Sequence, residues 1–176
     1  TNQVDNIETE VNIMAGTKVK RSKLAIFLDT SGGEETAEWA LIGDGVTEQT
    51  IAYNPTTSDE VYIHQDSGTV DVESYKPNIP TPMTAIKGDP VFDYVDGLRK
   101  TRAIGADART KICIVYLYET ETTGAYPAEQ NDCSIQIDDF GGAGGESATI
   151  NFTINLIGDA VVGTFNPTTK SFTEGE

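Results

Sequence analysis

The chain has 176 residues, of which 28 are Asp or Glu and 12 are Lys or Arg, for a formal net charge of −16. One domain spanning 1–176 is the expectation for that length, with enough chain to bury a core without metals or disulfides as staples. So acidic a surface repels phosphate backbones and anionic bilayers, which argues against nucleic-acid-binding and membrane-surface roles. No run approaches the ~20 apolar residues needed to cross a bilayer, and Thr1-Asn2-Gln3-Val4-Asp5 has no basic or apolar secretory pattern.

Residues 1–22 are polar with scattered Val4, Ile7, Val11, Ile13 and Met14, the composition of a terminal arm that orders on contact. Short β-type runs follow: Leu24 to Leu28, Trp39 to Ile42, Thr50 to Tyr53 and Glu60 to His64. Each ends near Gly, Asn-Pro or Ser-Gly turn residues. That spacing predicts an antiparallel sheet or sandwich. Residues 74–88 carry three prolines and little periodicity, so they read as a long connection with a functional role.

The next segment predicts the one helix, over about 89–103. Asp89 suits the N-cap and Pro90 the first helical position, where no amide hydrogen is needed. Val91, Phe92, Val95 and Leu98 make an apolar stripe at helical spacing. Gly105 is the expected left-handed stop.

Ile112 to Tyr118 is apolar on both faces, as in a central strand covered on each side or one forming an intersubunit contact. Cys133, Ile135 and Ile137 alternate with polar residues. The clearest strand runs from Ser147 to Leu156, with Ala148, Ile150, Phe152, Ile154 and Leu156 on one face and Ser147, Thr149, Asn151, Thr153 and Asn155 on the other. The glycine-rich 141–145 run is the turn between these last two strands.

Charge is segregated. Between Lys23 and Lys76 there is no base but there are 11 acids, while bases gather at 18–23 and 76–111. Such blocks are solvated faces, and they also suit copies that meet through opposite charges.

Chemistry-bearing motifs fail one by one. Asp29-Thr30-Ser31-Gly32-Gly33 is similar to the metal-site opening of von Willebrand A-type domains, but Gly33 stands where a ligand hydroxyl belongs. The glycine run at 141–145 lacks the Lys-Ser or Lys-Thr of a phosphate loop. His64, the only histidine, has no local partner for a triad. Cys113 and Cys133 read as buried free thiols, too few with His64 for a zinc site. No catalytic, metal or nucleic-acid-binding residue is assigned, no cofactor is implied, and an enzyme is not expected.

Several segments together resemble the major tail tube proteins of long-tailed, non-contractile (siphovirus-type) bacteriophages. They are Glu38 to Thr47, the Tyr53-Asn54-Pro55 turn, Tyr75-Lys76-Pro77-Asn78-Ile79, Gly88 to Val95, Phe140-Gly141-Gly142, Gly158-Asp159 and Gly163-Thr164-Phe165. The resemblance implies a mainly β, antiparallel sandwich or barrel-like fold with one flanking helix. It also implies stacked hexameric rings forming a hollow conduit for DNA during ejection. Implied partners are further copies, a tape measure protein inside the tube, and tail terminator and distal tail proteins. The implied location is the virion tail, after synthesis in the host bacterial cytoplasm.

Family members carry a loop or arm that reaches the next ring. The candidates here are 74–88, the arm 1–22 and the short C-terminal tail 173–176. Tyr75, Pro77, Ile79, Pro80, Pro82, Met83, Ile86, Val11 and Ile13 are the expected inter-ring or inter-subunit contacts. Alternative readings are an acidic capsid decoration or adhesin-like β-domain, and a divalent-metal enzyme using Asp29 and Ser31.

Overall fold

A computed structural model of the chain describes residues 16–176. Among them the strands are β1 (Leu24–Asp29), β2 (Trp39–Leu41), β3 (Pro55–Glu60), β4 (Thr69–Tyr75), β5 (Asn78–Thr84), β6 (Arg109–Tyr116), β7 (Tyr126–Gly141), β8 (Thr149–Asn166) and β9 (Ser171–Glu174). One helix, α1 (Pro90–Thr101), lies between β5 and β6.

The main sheet runs β2-β1-β6-β7-β8-β5, with β9 added to the far half of β8, and every pairing is antiparallel. Double burial explains its centre. Ile26, Leu28 and Ile112 feed one apolar cluster, while Phe27, Cys113 and Val115, on the opposite face of β1 and β6, feed a second around Trp39 and Phe165. Ala40 and Ile42, at the β2 edge, share the first cluster with Ile79 and Met83 of the β5 edge. The sheet therefore curls until its two edges meet across one core, a nearly closed barrel.

The seam is closed by the segment after β2. The Thr84 amide donates to the Gly45 carbonyl at 2.8 Å, and Ala52 and Asn78 exchange two amide–carbonyl bonds at 2.9 Å. The Asn78 and Thr84 amides donate away from β8, and the two positions of the same parity between them, 80 and 82, are prolines with no N–H to donate. Pro80 and Pro82 thus sit where an edge strand tolerates the missing N–H. Between them, the Gln49 amide reaches the buried Thr81 hydroxyl at 2.8 Å.

This corrects the expected loop over 74–88. Its centre is β5, with Ile79, Thr81 and Met83 facing inward and Pro80 and Pro82 outward. The three prolines hid a strand whose alternation is otherwise regular.

The helix starts as expected, with Asp89 as cap accepting from the Phe92 amide at 3.5 Å. Burial raises the Asp89 carboxyl above its ordinary range, and the Phe92 and Val91 amides pull it back. The stop is Arg102, which takes the left-handed conformation at φ 49°, three residues before Gly105. Gly105 instead opens a 3-10 turn, Gly105–Ala108. Val91, Phe92 and Val95 are buried against the barrel and Leu98 is half-buried.

β8 is longer than the Ser147–Leu156 reading, because bulges opposite Gln130/Asp132 and Ile137/Asp139 let β7 and β8 bend rather than stop. Two shorter runs are misread. Thr50 to Tyr53 contributes a single bridge at Ala52, and Glu60 to His64 is mostly the tip of a hairpin whose first strand begins at Pro55.

Candidate assembly surface

Strands β3 and β4 form a separate two-stranded sheet, paired from Pro55↔Tyr75 to Glu60↔Thr69. Apart from a half-buried Ser58, every residue of the two strands and of the loop between them is exposed. Its apolar side chains point into solvent: Val61, Tyr62, Val70 and Val72 are more than half exposed, and Ile63 is 108% exposed. The base is fastened where the Lys76 amide donates to the Tyr53 carbonyl (3.1 Å) and the Asn54 side-chain amide donates to the Lys76 carbonyl (3.0 Å). Tyr53 and Tyr75 pack edge to face there, ring centres 6.4 Å apart. A lone hairpin is marginal in water, and one with bare apolar residues needs a partner surface.

The sheet presents a second surface. The Asn155 amide donates to Gln136 Oε1 (3.3 Å), Gln136 donates to Asp138 Oδ1 (2.6 Å), and the Thr153 hydroxyl donates to Asp138 Oδ2 (2.7 Å). Asn151 donates to Asp139 at 2.8 Å. The row is a wet, hydrogen-bonded wall, and β5, β7 and β8 contain no Lys or Arg.

Asp29 is fully buried at the end of β1, and its Oδ1 accepts from the Ser31 amide (2.9 Å), the Ser31 hydroxyl (2.6 Å) and the Glu38 amide (2.9 Å). The motif is thus a turn lock, with Ser31 spent on Asp29. Among the described residues no three His, Cys, Asp or Glu side chains gather as metal ligands. His64 lies on the hairpin loop, stacked on Tyr62 at 6.2 Å. Both thiols are buried and unpaired with each other, and burial pushes each up to about 12.

No protein-family model matches the sequence, and no curated protein sequence matches it either. The solved structures do contain the fold. A chain from the tail of an empty gene transfer agent particle, refined helically with C6 symmetry, superposes with a TM-score of 0.60 at 14% identity, covering 89% of this chain and 99% of that one. A chain of the native gene transfer agent virion gives 0.57 at 14% identity over the same shares. The chain has the fold of a virion tail protein.

In this tail fold the expected contact residues separate. Ile79 and Met83 are buried under the seam and face the chain's own core. Tyr75 is exposed at the hairpin base, Pro80 and Pro82 along the β5 edge, and Ile86 beside Gly45; Pro77 is half-buried. Val11 and Ile13 lie outside the described residues. The hairpin tip went unassigned. Its signal was Val70-Asp71-Val72-Glu73 alternating after the Asp66-Ser67-Gly68 turn, a hairpin pattern with Val61 and Ile63 on the opposite side.

In this tail fold β5 is blunted by prolines and covered by the seam, so the long free edges belong to the hairpin.

Proposed function

We propose that the chain is the tube subunit of a phage-type tail. Six copies close into a ring, rings stack, and the hollow product conducts DNA during ejection. The carrying observation is the end-to-end correspondence with a chain from a tail of C6 symmetry, 99% of whose length is covered. The sequence resemblance supports the non-contractile class for this tail. Head-to-tail contacts between copies satisfy exposed apolar surface without consuming it in a closed dimer. The bare hairpin, Tyr75, Pro77, Pro80, Pro82 and Ile86 take part in those contacts, with the arm 1–22 as a second reach between rings.

The Gln136–Asp138–Thr153–Asn155 wall faces the lumen in this reading. Neutral amides and carboxylates repel or ignore a phosphate backbone, so DNA slides without sticking. A tape measure protein occupies the lumen before ejection, and terminator and distal tail proteins cap the ends. The protein is made in the host bacterial cytoplasm and functions in the virion tail.

Electron microscopy of the purified, concentrated chain tests the proposal. Hollow tubes with sixfold end views are expected. Dispersed single chains at every concentration overturn it in favour of a decoration or adhesin-like domain, and a lumen lined by Lys and Arg overturns the assignment of the polar wall.

A further inference from the structure

The hairpin is a projection without a receptacle in its own chain, and its composition says what the receptacle must be. Residues 55–75 hold five acids (Asp59, Glu60, Asp66, Asp71 and Glu73) and no Lys or Arg. Interleaved with them are the exposed Val61, Tyr62, Ile63, Val70 and Val72. The complementary surface is apolar at its floor and basic at its rim.

Three grooves can be compared on that criterion. The largest, about 790 Å³ at the hairpin's own base, is lined by Ile51, Tyr53 and Leu156 but also by Glu129 and Asp159. Like charge disqualifies it. A second surrounds Arg21, whose guanidinium is already spent on the carbonyls of Gln49 (3.2 and 3.3 Å) and Leu24 (2.6 Å).

The third, about 420 Å³, lies between the end of α1 and β7, walled by Leu98, Ile104, Ile135 and Ile137 and bordered by Arg99 and Arg102. Ile104 is 81% exposed at its lip. The Arg99 guanidinium lies 4.1 Å over the ring of Phe140, itself 44% exposed, which extends the apolar floor.

The charge around this groove mirrors the hairpin's. Residues 96–104, which form its α1 wall and lip, hold three bases (Arg99, Lys100 and Arg102) and one acid (Asp96). Arg99 and Lys100 are both paired with Asp96, at 2.7 and 2.6 Å. Among the described residues Arg102 forms no ion pair, so the groove's rim keeps an unspent cation for an incoming acidic segment.

From these matches we propose that the β3–β4 hairpin of one copy docks its tip in the α1–β7 groove of the next, with Ile63 against Ile104 and the hairpin carboxylates against Arg102. The proposal rests on the tube reading and specifies its contact. Because knob and groove are different surfaces, the contact is heterologous and propagates.

Cysteine cross-linking tests it. Ile63→Cys and Ile104→Cys replace two solvent-exposed side chains, so the fold survives, and the buried Cys113 and Cys133 do not compete. A chain carrying both substitutions, oxidised under tube-forming conditions, is expected to give a non-reducing gel ladder of trimers and larger species, while either single variant stops at dimers. Tubes in the micrographs with no species beyond dimers in the double variant overturn the docking site and leave the tube reading standing. A ladder without tubes supports the docking and removes the tube. Chains that neither cross-link nor assemble remove both.

Discussion

The hairpin separates assembly from folding, and trimming it measures both. Replacing 56–73 by a two-residue Asn-Gly turn removes Val61, Tyr62, Ile63, Val70 and Val72 but keeps Tyr53, Asn54 and Tyr75 at the base. None of the removed residues is buried. The monomer therefore loses little apolar burial, and a change below ~1 kcal/mol corresponds to no more than about 2–4 °C in Tm for a chain this size. Assembly is different. Each removed apolar side chain is worth roughly 1.5–3 kcal/mol when buried, so five of them represent on the order of 10 kcal/mol of gross contact per hairpin. Only part survives the cost of association, but a loss of even half exceeds a thousandfold in association constant. Calorimetry and sedimentation velocity on the trimmed chain give the two numbers. Normal tubes, or a Tm lowered by ten degrees, would refute the division of labour.

Two further outcomes follow from the core. Phe92→Ala empties the best-packed aromatic position of α1, 7% exposed, and should cost ~3–5 kcal/mol, read as a fall in denaturant midpoint; an unchanged midpoint would show that the helix is not seated on the barrel. Cys113 and Cys133 should resist a maleimide at pH 8 in the native chain and take up two equivalents once unfolded. Their folded values lie near 12 against an ordinary 9.0, so the stabilisation from keeping them neutral is complete below pH 9 and lost as pH rises towards 12. Rapid native labelling, or stability that is flat across that alkaline range, would contradict their burial.

Legibility in the sequence tracked burial. The run Ile112 to Val115 announced a central strand because both faces are covered, and Ile150, Phe152 and Ile154 announced β8 because one face is. Asp89-Pro90 announced the helix start through local chemistry alone. The hairpin gave a weaker signal for the same physical reason. Pro55 to Glu60 pairs with β4 but buries no side chain, so no apolar period marks it, and the apolar Val61 to Ile63 beyond it imitates a core strand. At β5 the prolines implied an irregular loop, although the odd positions Ile79, Thr81 and Met83 kept a strand's alternation. The proposed docking groove was invisible because Leu98 and Ile104 belong to α1 and its exit while Ile135 and Ile137 belong to β7, and only the packing of the helix on the sheet brings them together.

If the chain is a tube subunit as proposed, the placement of its prolines and carboxylates opposes unspecific strand pairing between copies. A nearly closed barrel has one vulnerable seam, and there Pro80 and Pro82 remove the outward N–H groups that a foreign strand would bind. The Gly45 and Ala52 contacts occupy the remaining pair. The hairpin cannot be protected in that way, because its surface must remain available. Charge protects it instead, since hairpins bearing five acids each repel one another, which disfavours edge-to-edge pairing between identical tips. In the proposed docking a surface of opposite sign relieves the repulsion, and Arg99, Lys100 and Arg102 beside the α1–β7 groove supply it. Under the proposed docking, the segregation of charge opposes symmetric aggregation and favours a head-to-tail array.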